Sequence, residues 1–437
     1  MRILYGLLLC TLSTSFIHTI FNRYNIQMKK QCYNTHSFPT GFYGLIGPNI
    51  NISAVKTLFD LFTGDGIIQG VFIEPNNITF IKHVVKTNKW IHENKYGPFL
   101  KHPFFMPFYM FAHKLGILPN IFDLSNTAFL SVKNKTYTLF ERDFPYEIKI
   151  ENNEITTLHK ICVPNTNSLS GHSKYDGSYI HSIEYDVIFK KIKYTRFDEN
   201  FREHDYKVIK TKYIPLVHDF SLLKNGILFM DAPFKWDFSK RLPVVLDNTR
   251  PTFFNVLKNN NSNYHKIYNC NESFYIFHYA NVLENANGTI EIYAPCYDTV
   301  DFSRLDIQGK YRKIVLHCDS IEVSIYKNEI FENMNLDFPM PWKDYIIMRE
   351  ITNNTITGFV LSKYHTFIKR IPMKLNRSFC GEPGIIEHEG SPFLIGLSYD
   401  ENEMGYLCTL NIFTNEYIEY PLNITVTIGF HSLTKVF

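Results

Sequence analysis

The chain has no strong excess of charge of either sign. Lys and Arg number 45 against 42 Asp and Glu, a formal net charge of +3. The cations are scattered and form no stripe, which argues against a basic nucleic-acid binder. Paired cysteines are also missing. None of the eight cysteines forms a CxxC motif, so the tight ligand spacing of a cysteine-ligated zinc site is absent. Beyond Cys10 near the N-terminus remain Cys32, Cys162, Cys270, Cys296, Cys318, Cys380 and Cys408. That odd number cannot pair completely. Buried free thiols acting as small hydrophobes are at least as good a reading as a disulfide frame. No Gly-, Ser- or Pro-rich linker divides the chain, so its 437 residues need not be several small domains.

What the sequence does have is aromatic side chains, 16% of the total. They suit half-buried strands and apolar pockets. The N-terminus carries Arg2, an apolar run over Ile3 to Cys10 and a second patch over Phe16 to Phe21. This fits a signal peptide or an uncleaved anchor over residues 1–21, although no A-x-A cleavage site is evident. A buried N-terminal helix is the third reading. Residues 22–437 then form a single domain. Sequons at Asn51, Asn77, Asn134, Asn260, Asn271, Asn287, Asn353, Asn376 and Asn423 agree with a glycoprotein of the secretory pathway, but Asn is abundant enough for chance to supply many of them. A cytoplasmic protein resting on a membrane is the alternative location.

From about residue 125 the pattern is of short strands and turns, an all-β fold. Expected strands include Tyr185 to Tyr194, Lys207 to Val217, Gly226 to Met230, Ser273 to His278, Thr289 to Ala294, Lys313 to His317 and Ile321 to Tyr326. Turn signals separate them at Asn285-Ala286-Asn287-Gly288, Asn353-Asn354 and Gly390-Ser391-Pro392. A β-propeller takes up such a length as one unit, because radial repetition hides sheet edges. The segment Gly97 to Phe122 differs. It is rich in Phe, Met and Pro, with only Lys101 and Lys114 charged, and its prolines rule out a membrane-spanning helix. Either it packs in the core under a loop, or Phe104, Phe105, Phe108 and Phe111 form an apolar patch that dips into a membrane surface.

Four of the 17 histidines stand out by context: His172, His218, His278 and His431. The gaps between them are 46, 60 and 153 residues, close to one, one and three propeller blades of roughly 40–50 residues. Histidines at the inner ends of separate blades converge on the axis. Imidazole suits Fe, Zn, Cu and Ni. Four nitrogens on an ion that prefers six ligands leave room for O2 or a substrate atom, whereas zinc with four ligands is closed.

The motifs in order then resemble a family, the carotenoid cleavage oxygenases, which include retinal-forming oxygenases and the retinoid isomerohydrolase. The resemblance runs from about Gly41 to the C-terminus. It begins with Gly41-Phe42-Tyr43-Gly44-Leu45-Ile46-Gly47-Pro48, like the family's R-x-GP strand without its Arg. Leu61-Phe62-Thr63-Gly64-Asp65-Gly66 resembles HLFDG. Asn126-Thr127-Ala128-Phe129-Leu130 with Leu139-Phe140-Glu141 resembles NTALV…LWE. His218-Asp219-Phe220 resembles HDF, Phe277-His278-Tyr279-Ala280-Asn281 resembles FHxxN, and Gly381-Glu382-Pro383 and Gly429-Phe430-His431 resemble GEP and GFH. Asp337-Phe338-Pro339 stands where the family has E-F-P, and Glu387-His388-Glu389-Gly390 replaces its EDDG.

The resemblance implies a seven-bladed propeller with a small helical cap over its top face. It implies Fe(2+) held by His172, His218, His278 and His431, with Glu141, Asp337 and Glu382 accepting the far ring N–H of three of them. Asp337 is one methylene short, so a water bridge or a shifted backbone is expected there. Glu284 and Asp219 read as local capping or backbone-satisfying residues. The implied activity is oxidative cleavage of a conjugated double bond in a carotenoid or apocarotenoid, with O2, to two carbonyl products. An isomerohydrolase, a stilbene-cleaving enzyme and a non-catalytic binding propeller are the alternatives. No catalytic side chain beyond the metal centre is needed.

Overall fold

A computed structural model describes residues 28–32, 40–99, 105–240, 242–259, 264–318, 320–388 and 390–436. The expected leader, together with Phe104 and Asn260, lies outside them.

Short antiparallel strands dominate. Two-residue turns join many of them, and asparagine carries the left-handed conformations these turns demand. Asn152 and Asn153 have φ of 52° and 58°, and Asn353 and Asn354 of 53° and 61°, the pattern of tight hairpins whose twist matches the strands. The hairpins assemble into seven sheets of four or five strands arranged as propeller blades: after blade 1, blade 2 spans residues 128–160, blade 3 174–210, blade 4 221–269, blade 5 281–327, blade 6 336–372 and blade 7 378–425. Blade 1 closes the ring. Its inner strand Ser432–Val436 comes from the C-terminal end of the chain and pairs with Gly41–Pro48 near the start, Leu45 opposite Ser432.

Each seam between neighbouring blades holds its own apolar cluster, and there are seven such clusters. Tyr43, Leu45 and Val71 of blade 1 meet Ile395 and Leu397 of blade 7 in one of them. Ile183 and Tyr194 of blade 3 meet Ile227 and Phe229 of blade 4 in another. The hydrophobic effect therefore acts between blades, and the axis is left for polar side chains.

The helices Leu58–Phe62, Asn88–Tyr96, Met106–Lys114 and Glu329–Glu332 are all inserted at one end of the strands, the end at which the inner strands begin. This is the expected cap. Among the described residues no helix is long and apolar enough to cross a membrane.

Three expected strands are redrawn. Tyr185 to Tyr194 is two strands, Ile180–Asp186 and Lys191–Phe197, folded about a turn. Glu203–Lys210 stops well short of Val217. Ser273 to His278 is irregular apart from one bridge, Tyr275 to Tyr297. Its apolar residues reflect burial on all sides, with Phe274 fully buried and Ile276 nearly so, as the chain crosses from the rim of blade 4 to the axis.

Candidate metal centre

An inner strand starts near the axis, so the residues just before it are aimed at the axis. His172 precedes Lys174–Tyr175 of blade 3, His218 precedes Ser221–Leu223 of blade 4, His278 precedes Asn281–Glu284 of blade 5, and His431 precedes Ser432–Val436 of blade 1. The structure brings all four together. One ring nitrogen from each lies within 4.8 Å of every other.

The remaining three blades supply carboxylates. Glu141 follows the second strand of blade 2, Asp337 lies in the inner strand of blade 6, and Glu382 follows the inner strand of blade 7. His218 Nδ1 donates to Glu141, and His278 Nδ1 donates to Asp337 Oδ1 at 2.9 Å. His431 Nδ1 lies 3.4 Å from Glu382 Oε2, which also accepts the Ser432 amide at 2.8 Å. A ring whose Nδ1–H is donated outward keeps a bare lone pair on Nε2, turned inward.

The His278–Asp337 bond is direct, so of the two expectations, a water bridge or a shifted backbone, the structure has the second. The inner strand of blade 6 makes up the missing methylene with a register irregularity between Asp337 and Met340, where Phe338 takes φ of 50°. Phe338 then stacks on His431, centroids 4.7 Å apart, and leans on His278 at 4.4 Å. Arg349 covers its other face at 3.5 Å and stands 3.9 Å from Asp337 Oδ2. Phe338 was marked only as part of the Asp337-Phe338-Pro339 element, and no sequence signal marked Arg349, whose role depends on strand register.

Burial, with three imidazoles alongside, holds His172 well below the ordinary histidine range. Burial also lowers His278, against the pull of Asp337. Burial acts in the same sense on His218, but Glu141 outweighs it and the ring is raised. Burial would raise Asp337, yet His278 and Arg349 hold it well below the carboxylate range.

These residues fit a divalent transition ion. Nε2 of His278 is buried with no hydrogen-bond partner, a costly state unless something occupies the space it faces. His172 Nε2 and His218 Nε2 are 3.0 Å apart, and two nitrogens bonded to one ion at about 2.1 Å and at right angles lie about 3 Å apart. Formal charge closes as well: a 2+ ion and Arg349 balance Glu141, Asp337 and Glu382.

Of the other marked residues, Glu284 is exposed and accepts the Lys224 amide. Asp219 accepts the Phe220 and Tyr279 amides and pairs with Lys174. The segment after Gly97 divides between its two readings. In the helix Met106–Lys114, Tyr109 and Ala112 are buried, while Phe108 and Phe111 are each 61% exposed. Phe105 is half-buried against Tyr109. Two further segments at the same end of the molecule expose apolar side chains: Ile188 and Phe189 in a turn of blade 3, and Trp236 and Phe238 beside the hairpin of blade 4.

The sequence model of one family, RPE65 (retinal pigment epithelial membrane protein), matches residues 38–350. The chain belongs to this family. Within the RPE65 and carotenoid cleavage oxygenase family, it is 27% identical to carotenoid 9,10(9',10')-cleavage dioxygenase 1 of Arabidopsis thaliana over 285 residues, covering 58% of this chain and 51% of that protein. The enzyme of the same name from Phaseolus vulgaris is 26% identical over 285 residues, covering 58% and 50%. The chain thus spans about half the length of the curated relatives it matches. Among solved structures, a mutant apocarotenoid oxygenase of Synechocystis superposes with a TM-score of 0.74 at 15% identity, covering 96% of this chain and 98% of that one. Pseudomonas brassicacearum lignostilbene dioxygenase gives 0.75 at 13%, covering 94% and 95%. At those identities the likeness shows the seven-bladed fold alone.

Proposed function

We propose that this protein is a non-haem Fe(2+) dioxygenase that cleaves a conjugated double bond of a carotenoid or apocarotenoid with O2, giving two carbonyl products. The observation that carries the proposal is the convergence of four imidazole nitrogens within 4.8 Å, backed by three carboxylates, in a chain whose relatives are named carotenoid cleavage dioxygenases. Iron bound there supplies the redox chemistry between O2 and the alkene.

The chain's own residues supply position and exclusion. His172, His218, His278 and His431 hold the ion. Glu141, Asp337 and Glu382 fix ring orientation and offset its charge. Phe62 lies 6.0 Å from Phe302 and 6.1 Å from Phe430, and Phe277 packs on His218. These rings make an apolar wall beside the site for a polyene and keep water from it. No side-chain acid or base takes part. The exposed apolar segments at this end of the molecule favour peripheral contact with the membrane in which such a substrate dissolves. Entry into the secretory pathway rests on the N-terminal leader and, more weakly, on the sequons.

Iron analysis tests the centre: the parent binds about one iron per chain, and His218→Ala and His278→Ala each lose most of it. Equal iron in parent and variants overturns the proposal. Incubating the iron-loaded protein with a panel of carotenoids under 18O2 tests the reaction. Label in the carbonyl products is expected; conversion of a retinoid ester without label indicates isomerohydrolase chemistry instead, and turnover of stilbenes alone indicates a stilbene-cleaving enzyme.

A further inference from the structure

Three of the four histidine-bearing turns are tied together behind the rings by one carboxylate. Asp219 follows His218 directly. Its Oδ1 accepts the amide of Phe220 at 2.8 Å and the ammonium of Lys174 at 2.8 Å. Its Oδ2 accepts the amide of Tyr279 at 3.2 Å. Lys174 lies two residues beyond His172, and Tyr279 follows His278 directly. A single side chain therefore joins the turns that enter blades 3, 4 and 5. Asp219 is only 6% exposed, while the Lys174 ammonium lies over the Phe220 ring, 5.5 Å from its centroid, with its side chain partly in solvent.

The bridge bears on metal binding for a geometric reason. The rings of His218 and His278 are each steadied by a carboxylate at Nδ1, but among the described residues no carboxylate is bonded to the His172 ring. His172 is set by its backbone, whose amide bonds Ser170 Oγ at 3.0 Å, and by the Lys174 tether. We propose that Asp219 and Lys174 are positioning residues of the metal centre, their bridge setting the mutual spacing of His172, His218 and His278. The inference rests on the reading that these histidines hold a metal. Asp219→Asn keeps the size of the side chain but turns an NH2 group against either the Lys174 ammonium or the Tyr279 amide, so one of the three turns is released.

Cobalt(II) titration of the metal-free full-length chain, followed by visible absorption, reads the centre without turnover. Asp219→Asn and Lys174→Met should each weaken cobalt binding by about 10–100-fold, the range seen when supporting residues of a metal site are removed, and should change the absorption bands. Lys174→Arg should recover most of the affinity. Lys174→Met leaves the buried Asp219 carboxylate without its ammonium, so the melting temperature of the metal-free variant should also fall; the cobalt affinity and the spectrum of the still-folded variant carry the test. A merely structural bridge lowers the melting temperature and leaves the affinity and spectrum of the folded protein unchanged, and that result overturns the proposal. Should Asp219→Asn fail to fold, Lys174→Met decides alone. Parent protein that takes up no cobalt overturns the metal reading and this inference with it; parent and variants binding equally overturn this inference alone.

Discussion

At the scale of single residues, a buried polar group acts according to whether it has partners. Asp231 closes the strand Gly226–Asp231, outside the metal centre. Its Oδ2 accepts the Lys212 amide at 2.7 Å, but its Oδ1 has no partner, and burial pushes its carboxyl up to about 6. An unfolded chain ionises this group near pH ~3.9. Between those values the folded state holds a proton that the unfolded state has lost, so stability falls as pH rises through that window and is level above it. The difference corresponds to on the order of 3 kcal/mol at neutral pH. Asp231→Asn stays neutral throughout. Urea unfolding should find it equal to the parent near pH 4 and more stable by about 1–3 kcal/mol at pH 7; a less stable variant at pH 7 contradicts the account. The histidines of the candidate site were legible in the sequence because each ends an apolar run or sits in a distinctive motif. Glu141 and Glu382 were legible only through family resemblance. Arg349 and the Asp219 bridge were not, since charges that meet across blades leave no local pattern.

At the scale of elements, the strand pattern was readable where β-branched and aromatic residues recur between turn residues, both in the almost wholly buried Ile290–Tyr297 and in the more exposed Val323–Lys327. It failed where a segment is buried without being laddered, as before His278. The least regular element matters most for the site. The stretch that carries His431 runs between two other backbones: the Phe430 amide bonds Ile46 O at 2.7 Å, Ile46 N bonds His431 O at 3.0 Å, and Glu382 N bonds Phe430 O at 3.0 Å. Such an approach needs residues without a Cβ. A Cβ on Gly47 would lie 2.4 Å from Gly429 Cα, one on Gly381 2.5 Å from Gly429 O, and one on Gly429 2.3 Å from Leu45 Cγ. Leu45 is fully buried in the seam between blades 1 and 7 and has nowhere to move. Gly429→Ala should therefore destabilise by about 1–3 kcal/mol, as overpacking does, and should shift His431 with it, so that iron content falls along with the melting temperature. A variant with the parent's melting temperature and iron content refutes this packing argument.

At the scale of the whole molecule, the propeller separates its two faces by what the strand ends carry. The described helices, the four-histidine cluster and several exposed apolar side chains share one end, so on the proposed function a substrate leaving a membrane would meet the site by a short route. Phe108 and Phe111 project from the cap helix, Ile188 (77% exposed) and Phe189 from blade 3, and Phe238 (83% exposed) from blade 4. Three separate segments contributing apolar tips to one face is unusual for a surface that meets only water. The described cysteines Cys162, Cys270, Cys296, Cys318, Cys380 and Cys408 are all unpaired, so among the described residues the seven seams join the blades without disulfides. Burying one phenylalanine side chain is worth about 1.5–3 kcal/mol, roughly tenfold or more in partition. Phe108→Asp with Phe111→Asp should thus lower co-sedimentation with phospholipid vesicles by well over tenfold, with a further loss on adding Phe238→Ser. Ile368, 45% exposed on the outer strand of blade 6, lies away from this face, and Ile368→Asp should leave binding unchanged. If the phenylalanine and Ile368 variants lose binding equally, general surface hydrophobicity and not this face governs the contact; if none loses it, the helix Met106–Lys114 does not dock.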